Sequence, residues 1–215
     1  MTADSTAVIR ALAIGVSGSG AVAVQVTAMG NVISNHVTAT MEDSTVTTAG
    51  DVTVTAQDAK PAAIVPWTVP PDQQAELDRN LAGSPVSPDG NILAVMIGVA
   101  GTGGVAVNGV FSGNVIANTI QADIIHSTVN STGGKVDLEA KSKAGIMALT
   151  IGVAGSGAVA VNITGFGNAI ANTVGASIKG GSTVTAGGLV EQTATDESTI
   201  RSLGISIAGT GGVAV

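Results

Sequence analysis

The chain has 215 residues, 45% hydrophobic yet only 1% aromatic, with 30 Gly, so any core must be thin and built from Ala, Val, Ile and Leu. Lys and Arg number 8 against 15 Asp and Glu, for a net charge of −7, which argues against nucleic acid as a partner because that requires clustered cations. Cys is absent, which excludes disulfides and thiolate metal sites.

The first ten residues lack a basic segment followed by an apolar one, so an export signal, if the protein is exported, is expected upstream. The block Ile14-Gly15-Val16-Ser17-Gly18-Ser19-Gly20-Ala21-Val22-Ala23-Val24 then introduces the dominant pattern. It returns from Ile97 as IGVAGTGGVAV, from Ile151 as IGVAGSGAVAV and from Ile205 as ISIAGTGGVAV. The last three anchors stand 54 residues apart, whereas Ile14 precedes Ile97 by 83, an excess of 29. Self-similarity at a fixed period is the signature of a solenoid, and the first unit carries an insertion. The Gly pairs (Gly18 and Gly20, Gly101 and Gly103, Gly155 and Gly157, Gly209 and Gly211) are expected at corners of positive φ or close backbone approach. Ala21, Ala23, Ala158 and Ala160 alternate with Val, giving one face sparing of bulk.

Following each block, Gly30-Asn31-Val32-Ile33-Ser34-Asn35 recurs at the same offset as GNVIAN ending at Asn118 and GNAIAN ending at Asn172. A second offset holds Gln25, Asn108 and Asn162. An amide carries both a donor and an acceptor, so stacked copies can bond one another. Asn35, Asn118, Asn172, Gln25, Asn108 and Asn162 are therefore ladder candidates with a structural role, not ligand sites. Thr and Val alternate over Ser44–Thr48 and Asp51–Ala56, the period of half-buried strands. Counting such runs predicts about six short strands per unit, hence two coils of a three-sided β-helix, or three smaller ones.

All six prolines and the sole Trp lie between Lys60 and Gly90. There, Asp72 to Gly83 reads as a short helix with Leu77 and Leu81 one turn apart. The expected organisation is a first solenoid unit over 1–59, a Pro-rich insertion over 60–90, and a continued solenoid over 91–215. Trp67, Leu77 and Leu81 are recognition candidates because loops on rigid scaffolds concentrate binding residues; the competing reading folds them back on the solenoid flank.

Motifs of the form IGVAGSGAVAVN, GNxIAN and GSTVTAGG, carried best by Ile151 to Ala186, resemble the repeats of very large filamentous adhesins of Gram-negative bacteria, of the leukotoxin-like and filamentous-haemagglutinin-like families. The resemblance covers the chain except Lys60 to Gly90. It implies an all-β, right-handed parallel β-helix (β-solenoid) displayed outside the cell after two-partner or autotransporter secretion. The pattern departs from it in the Pro-rich insertion and the absence of a translocator domain.

No catalytic, cofactor-binding or metal site emerges. Gly98 to Gly104 mimics a nucleotide-binding glycine loop, but neither a helix nor Lys-Ser/Thr follows. His36 and His126 occupy unrelated offsets and are expected on solvent-facing strands. Glu42-Asp43 and Asp196-Glu197 are adjacent pairs whose side chains diverge in a strand, unlike catalytic carboxylates that converge. The sequons at Asn130 and Asn162 read as coincidence. Ala144 to Val161 is uncharged over 18 residues, which raises a membrane-associated alternative, disfavoured as a helix by its Gly content. A carbohydrate-active enzyme on a β-helix is the other alternative. The favoured expectation is a non-enzymatic stalk or adhesive segment of a larger extracellular protein. It would need no cofactor, meet a glycan or protein on a host or neighbouring cell, and self-associate through uncapped coils.

Overall fold

The computed structural model describes residues 1–59 and 90–215. Among them every helix or strand is a strand, and every strand pairing is parallel. Sheet I stacks β1 (Thr2–Ser5), β6 (Val52–Asp58), β11 (Val136–Ser142) and β16 (Val190–Asp196). Sheet II stacks β2 (Ile9–Ser19), β7 (Ile92–Thr102), β12 (Gly145–Ser156) and β17 (Thr199–Thr210). Sheet III stacks β3 (Val22–Ile33), β8 (Val105–Ile116), β13 (Val159–Ile170) and β18 (Val213–Ala214). Sheet IV holds β4 (His36–Glu42), β9 (Thr119–Ile125) and β14 (Thr173–Lys179), and sheet V holds β5 (Thr45–Thr48), β10 (Thr128–Ser131) and β15 (Thr183–Ala186). The chain visits the five sheets in turn and returns to sheet I one layer on: a parallel β-helix.

One coil thus consumes a whole 54-residue unit and five strands, which corrects the expected two or three coils of short strands. The Asn118 backbone N–H donates to Asn172 Oδ1 at 3.0 Å, a direct contact between adjacent coils. Two coils per unit would have separated the pair by about 10 Å. The miscount arose in sheets II and III, whose strands run 11 or 12 residues straight through Gly98, Gly101, Gly109 and Gly113. Gly in a strand interior also marks a site where another backbone or side chain comes close, and that is the role of Gly98 and Gly109 here.

Two cores result. Sheets I, IV and V surround a cluster of Val54, Ile120, Ile124, Val129, Val136 and Leu138, built by strict alternation such as buried Val52, Val54 and Ala56 between more exposed Thr53 and Thr55. Sheets II and III instead lie against each other as a blade. Its tip is closed by Ala100, Ala106, Ala154 and Ala160, and its base by Ile92, Ile116 and Ile146. Ala23, Ala106 and Ala160 point inward while Ala21 and Ala158 sit exposed at the turn between the sheets.

The blade is too thin for ordinary side chains. A Cβ on Gly98 would lie 2.6 Å from Val110 Cγ2 and 2.7 Å from Asn108 Oδ1; one on Gly152 would lie 2.5 Å from Asn162 Oδ1. At the tip, a Cβ on Gly157 would lie 2.3 Å from the Gly103 carbonyl oxygen of the next coil. Close approach accounts for Gly103, Gly157 and Gly211, whereas Gly101, Gly155 and Gly209, also expected at corners, lie inside strands where an added Cβ would meet nothing within 4 Å. Positive φ occurs elsewhere, in one column at the corner between sheets IV and V: Asp43 (47°), His126 (48°) and Gly180 (67°), with Gly181 (74°) beside the last.

That corner holds an extra residue in the last coil, where three residues separate β14 from β15 against two between β9 and β10. The next corner gives it back, with three residues between β15 and β16 against four between β10 and β11. Register is also unbroken across the insertion, since Asp58 pairs with Ser5 and Ser142, and Ile92 with Ile9 and Ile146. The helix expected over Asp72 to Gly83 lies outside the described residues.

Gly98→Ala is expected to lower the unfolding midpoint, by about 1–3 kcal/mol of overpacking in chemical denaturation. Gly101→Ala, whose added Cβ meets nothing within 4 Å, is expected to leave it within about 0.5 kcal/mol.

Candidate functional site: stacked amides and a buried carboxylate

Three columns of amides run along the solenoid axis. In the blade, Asn108 is fully buried and donates from Nδ2 both to the Gly98 carbonyl of the facing sheet (3.0 Å) and to Asn162 Oδ1 of the next coil (2.9 Å). Asn162 continues to Ser206 Oγ at 2.9 Å. Gln25 occupies the same column but does not join it. Its Nε2 turns to Thr27 Oγ1, and Gln25 Oε1 and Asn108 Oδ1 are left buried without a partner among the described residues. The extra methylene of Gln carries its amide past its neighbour.

Asn35, Asn118 and Asn172 form a corner column of a different kind. The side-chain oxygens of Asn118 and Asn172 take the backbone N–H of the preceding coil's residue, at 2.9 Å for Asn35 N to Asn118 and 3.0 Å for Asn118 N to Asn172. Their Nδ2 groups point into the solenoid, to Ser5 Oγ (3.2 Å), Asp58 Oδ2 (2.6 Å) and Ser142 Oγ (2.9 Å) respectively.

The most continuous ladder was not among the candidates. Asn31 Nδ2 donates to Asn114 Oδ1 (2.8 Å), Asn114 to Asn168 Oδ1 (2.7 Å), and Asn168 to Ser202 Oγ (2.6 Å). Strand parity carried the signal: Asn108, Asn114 and Ile116 are separated by even numbers, so all face inward. Serines stack likewise at the corner between sheets IV and V, where Ser44 N donates to Ser127 Oγ (3.0 Å) and Ser127 N to Ser182 Oγ (3.1 Å).

Against these, acid–base chemistry finds little footing among the described residues. Charged groups meet as isolated pairs: Lys179 with the buried Asp123 (2.8 Å), Lys135 with Asp137 (2.7 Å) and Lys143 with Glu197 (3.3 Å). No three His, Asp or Glu side chains come together. His36 opens β4 and is exposed, whereas His126 is an exposed corner residue, not a strand residue, with Nδ1 3.9 Å from Asp43 Oδ1. Trp67, Leu77 and Leu81 lie outside the described residues.

No family model, curated protein or solved structure matches this chain. The reading rests on geometry.

One titratable group stands apart. Asp58 is 1% exposed and occupies a column held by Ser5 and Ser142 in the flanking coils; its Oδ1 has no partner among the described residues. Burial pushes its pKa above the usual carboxylate value, Asp196 adds repulsion, and the Asn118 hydrogen bond opposes both. Beside it a recess of about 380 Å³ is lined by Gln57, Ala59, Lys141 and Lys143.

Two outcomes follow from these columns. Gln25→Asn is expected to raise stability by about 1 kcal/mol, read by chemical denaturation, because the shorter amide reaches Asn108 Oδ1. Asp58 binds its proton more tightly folded than unfolded, so its destabilising effect is full above its raised folded pKa and fades as pH falls toward the unfolded value near about 3.9. Asp58→Asn is accordingly expected to stabilise the protein at pH 7 and to flatten its stability profile across that acidic window. An unchanged profile would show that Asp58 is not the group responsible.

Proposed function

We propose that this chain is a non-enzymatic adhesive segment of a large protein displayed at the bacterial cell surface. The observation that carries this reading is the stacking of one 54-residue coil per strand spacing. Each coil adds only about 4.8 Å of length, so four layers extend about 19 Å. A molecule that spends so much chain on so little reach gains surface, which favours an adhesion face over a long spacer. Stacking also repeats each outward side chain from layer to layer. Thr45, Thr128 and Thr183 form one such outward row, and Thr47, Asn130 and Thr185 another. Repeated groups at fixed spacing suit multivalent contact with a glycan or protein on a host or neighbouring cell.

The resemblance to filamentous adhesin repeats supports the same reading and its extracellular setting. For the chain taken by itself, the unpaired edges of β2 to β5 and of β14 to β17 favour end-to-end association.

The chain immobilised on beads is expected to retain cells in proportion to its surface density, and to show concentration-dependent association by light scattering. Release of unsaturated sugars from acidic polysaccharides, with no cell retention at any density, would replace this reading with that of a lyase.

A further inference from the structure

The blade has its polarity reversed. Inside, between sheets II and III, the Asn108 and Asn114 columns lie among small residues, with Met96, Val110 and the isoleucines of the base; outside lie rows of branched aliphatics. On sheet II the outward rows are headed by Leu12, Ile14 and Val16, exposed in the first coil, and their register partners are again Val, Ile or Leu in every coil, half-buried against one another in the two middle coils. On sheet III the rows headed by Val22 and Val24 are Val throughout the described coils, and Phe111 lies over Gly109 and Gly165 on the same face.

Charge is partitioned as sharply. Residues 91–122 and 144–178 contain no Asp, Glu, Lys or Arg, and these stretches make the blade of the two central coils. The tip turns, such as Thr102-Gly103-Gly104 and Ser156-Gly157-Ala158, are uncharged too. Ionic groups lie on sheets I and IV and at the corners beside sheet V, such as Asp43, Asp51 and Lys135, and the nearest to the blade are Arg10 and Arg201, which share the outermost row at its base with Leu93 and Met147. Arg10 there donates from Nη1 to the Gly90 carbonyl at 2.8 Å and the Asn91 carbonyl at 3.3 Å, so its charge is held at the base of the blade, away from the tip.

We propose that this blade enters the hydrocarbon of a lipid membrane tip first, with sheets I, IV and V remaining in the aqueous phase. Strands β7 and β12 provide about 30 Å of blade depth, twice the roughly 15 Å of one leaflet's hydrocarbon. Strands β7, β8 and β12 have a hydrogen-bonded neighbour on both sides, and the interior amides, Gln25 apart, bond one another, so most polar groups of these coils are paired internally, as lipid demands. A second copy of the chain fits less well. It would cover one face and leave the opposite face and the tip in water. Lipid covers both faces and the tip at once. This inference goes beyond the adhesive reading and does not depend on it.

The test is flotation of the full chain with phosphatidylcholine vesicles, whose neutral headgroups offer no net charge to attract or repel it. The chain is expected to float with the vesicles. Ile97→Asp and Val107→Asp, one on each outer face, are expected to cut the bound fraction at least about tenfold. Thr55→Asp, on the outer face of sheet I, is expected to leave it unchanged. Should the Asp variants lose their strand circular dichroism, Val107→Trp in a Trp67→Phe background gives an independent reading: brominated lipids are expected to quench its emission. Absence of flotation or of quenching overturns the proposal. A dimer that forms without lipid and is lost in the same Asp variants overturns it in favour of a second copy.

Discussion

Everything in the blade depends on how closely sheets II and III approach. Asn108 reaches across to the Gly98 carbonyl at 3.0 Å while also bonding Asn162 in the next coil, so one amide fixes both the gap between sheets and the spacing between coils. The gap leaves no room for a side chain opposite the amide, hence the column of Gly15, Gly98 and Gly152, relieved by Ser206 where a hydroxyl serves as acceptor. A wider blade would strand the Asn donors; a narrower one would collide with Val110. Glycine on one sheet and asparagine on the other are thus a single choice, made once per coil.

From that choice follows the placement of apolar bulk. With much of the interior taken by amides, glycines and alanines, only Met96, Val110 and the isoleucines of the base are buried between the sheets, and the remaining Val, Ile and Leu lie on the outer faces, against the usual division between inside and outside. Conventional hydrophobic packing survives in the other half of the coil, where Leu138, Ile124 and Val136 meet among sheets I, IV and V. The cross-section therefore joins a core held by transfer from water to a blade held by hydrogen bonds. Asp58 belongs to the first half, where an ionised carboxylate among Ser positions has burial working against it.

The repeat, the all-β class and the parallel stack were legible because the Ile-Gly blocks and the Asn positions keep one period. The coil count was not. Gly98 looks like turn punctuation in the sequence, yet it lies inside a strand because Asn108 and Val110 of the facing sheet come close. Chain spacing cannot show that a glycine is excluded from bulk by a residue in another sheet. Of the amide candidates, Asn108 and Asn162 bond directly, Asn35, Asn118 and Asn172 use a side-chain-to-backbone pattern, and Gln25 stands aside for want of the right length. The Asn31, Asn114 and Asn168 column was readable from parity along its strand. Asp58 was hidden because its burial arises from Asn118, distant in sequence.

The direction of the inter-coil hydrogen bonds has a mechanical consequence. In all five sheets these bonds run along the solenoid axis, because the strands run around it. A pull along that axis loads every bond of one coil junction together, in tension, and no junction yields until many bonds fail at once. A sideways pull on one strand would instead detach its bonds in sequence, as a zip opens. The molecule is accordingly strong along its axis and weak across it, so the direction in which an attached load pulls decides whether a coil holds or peels away.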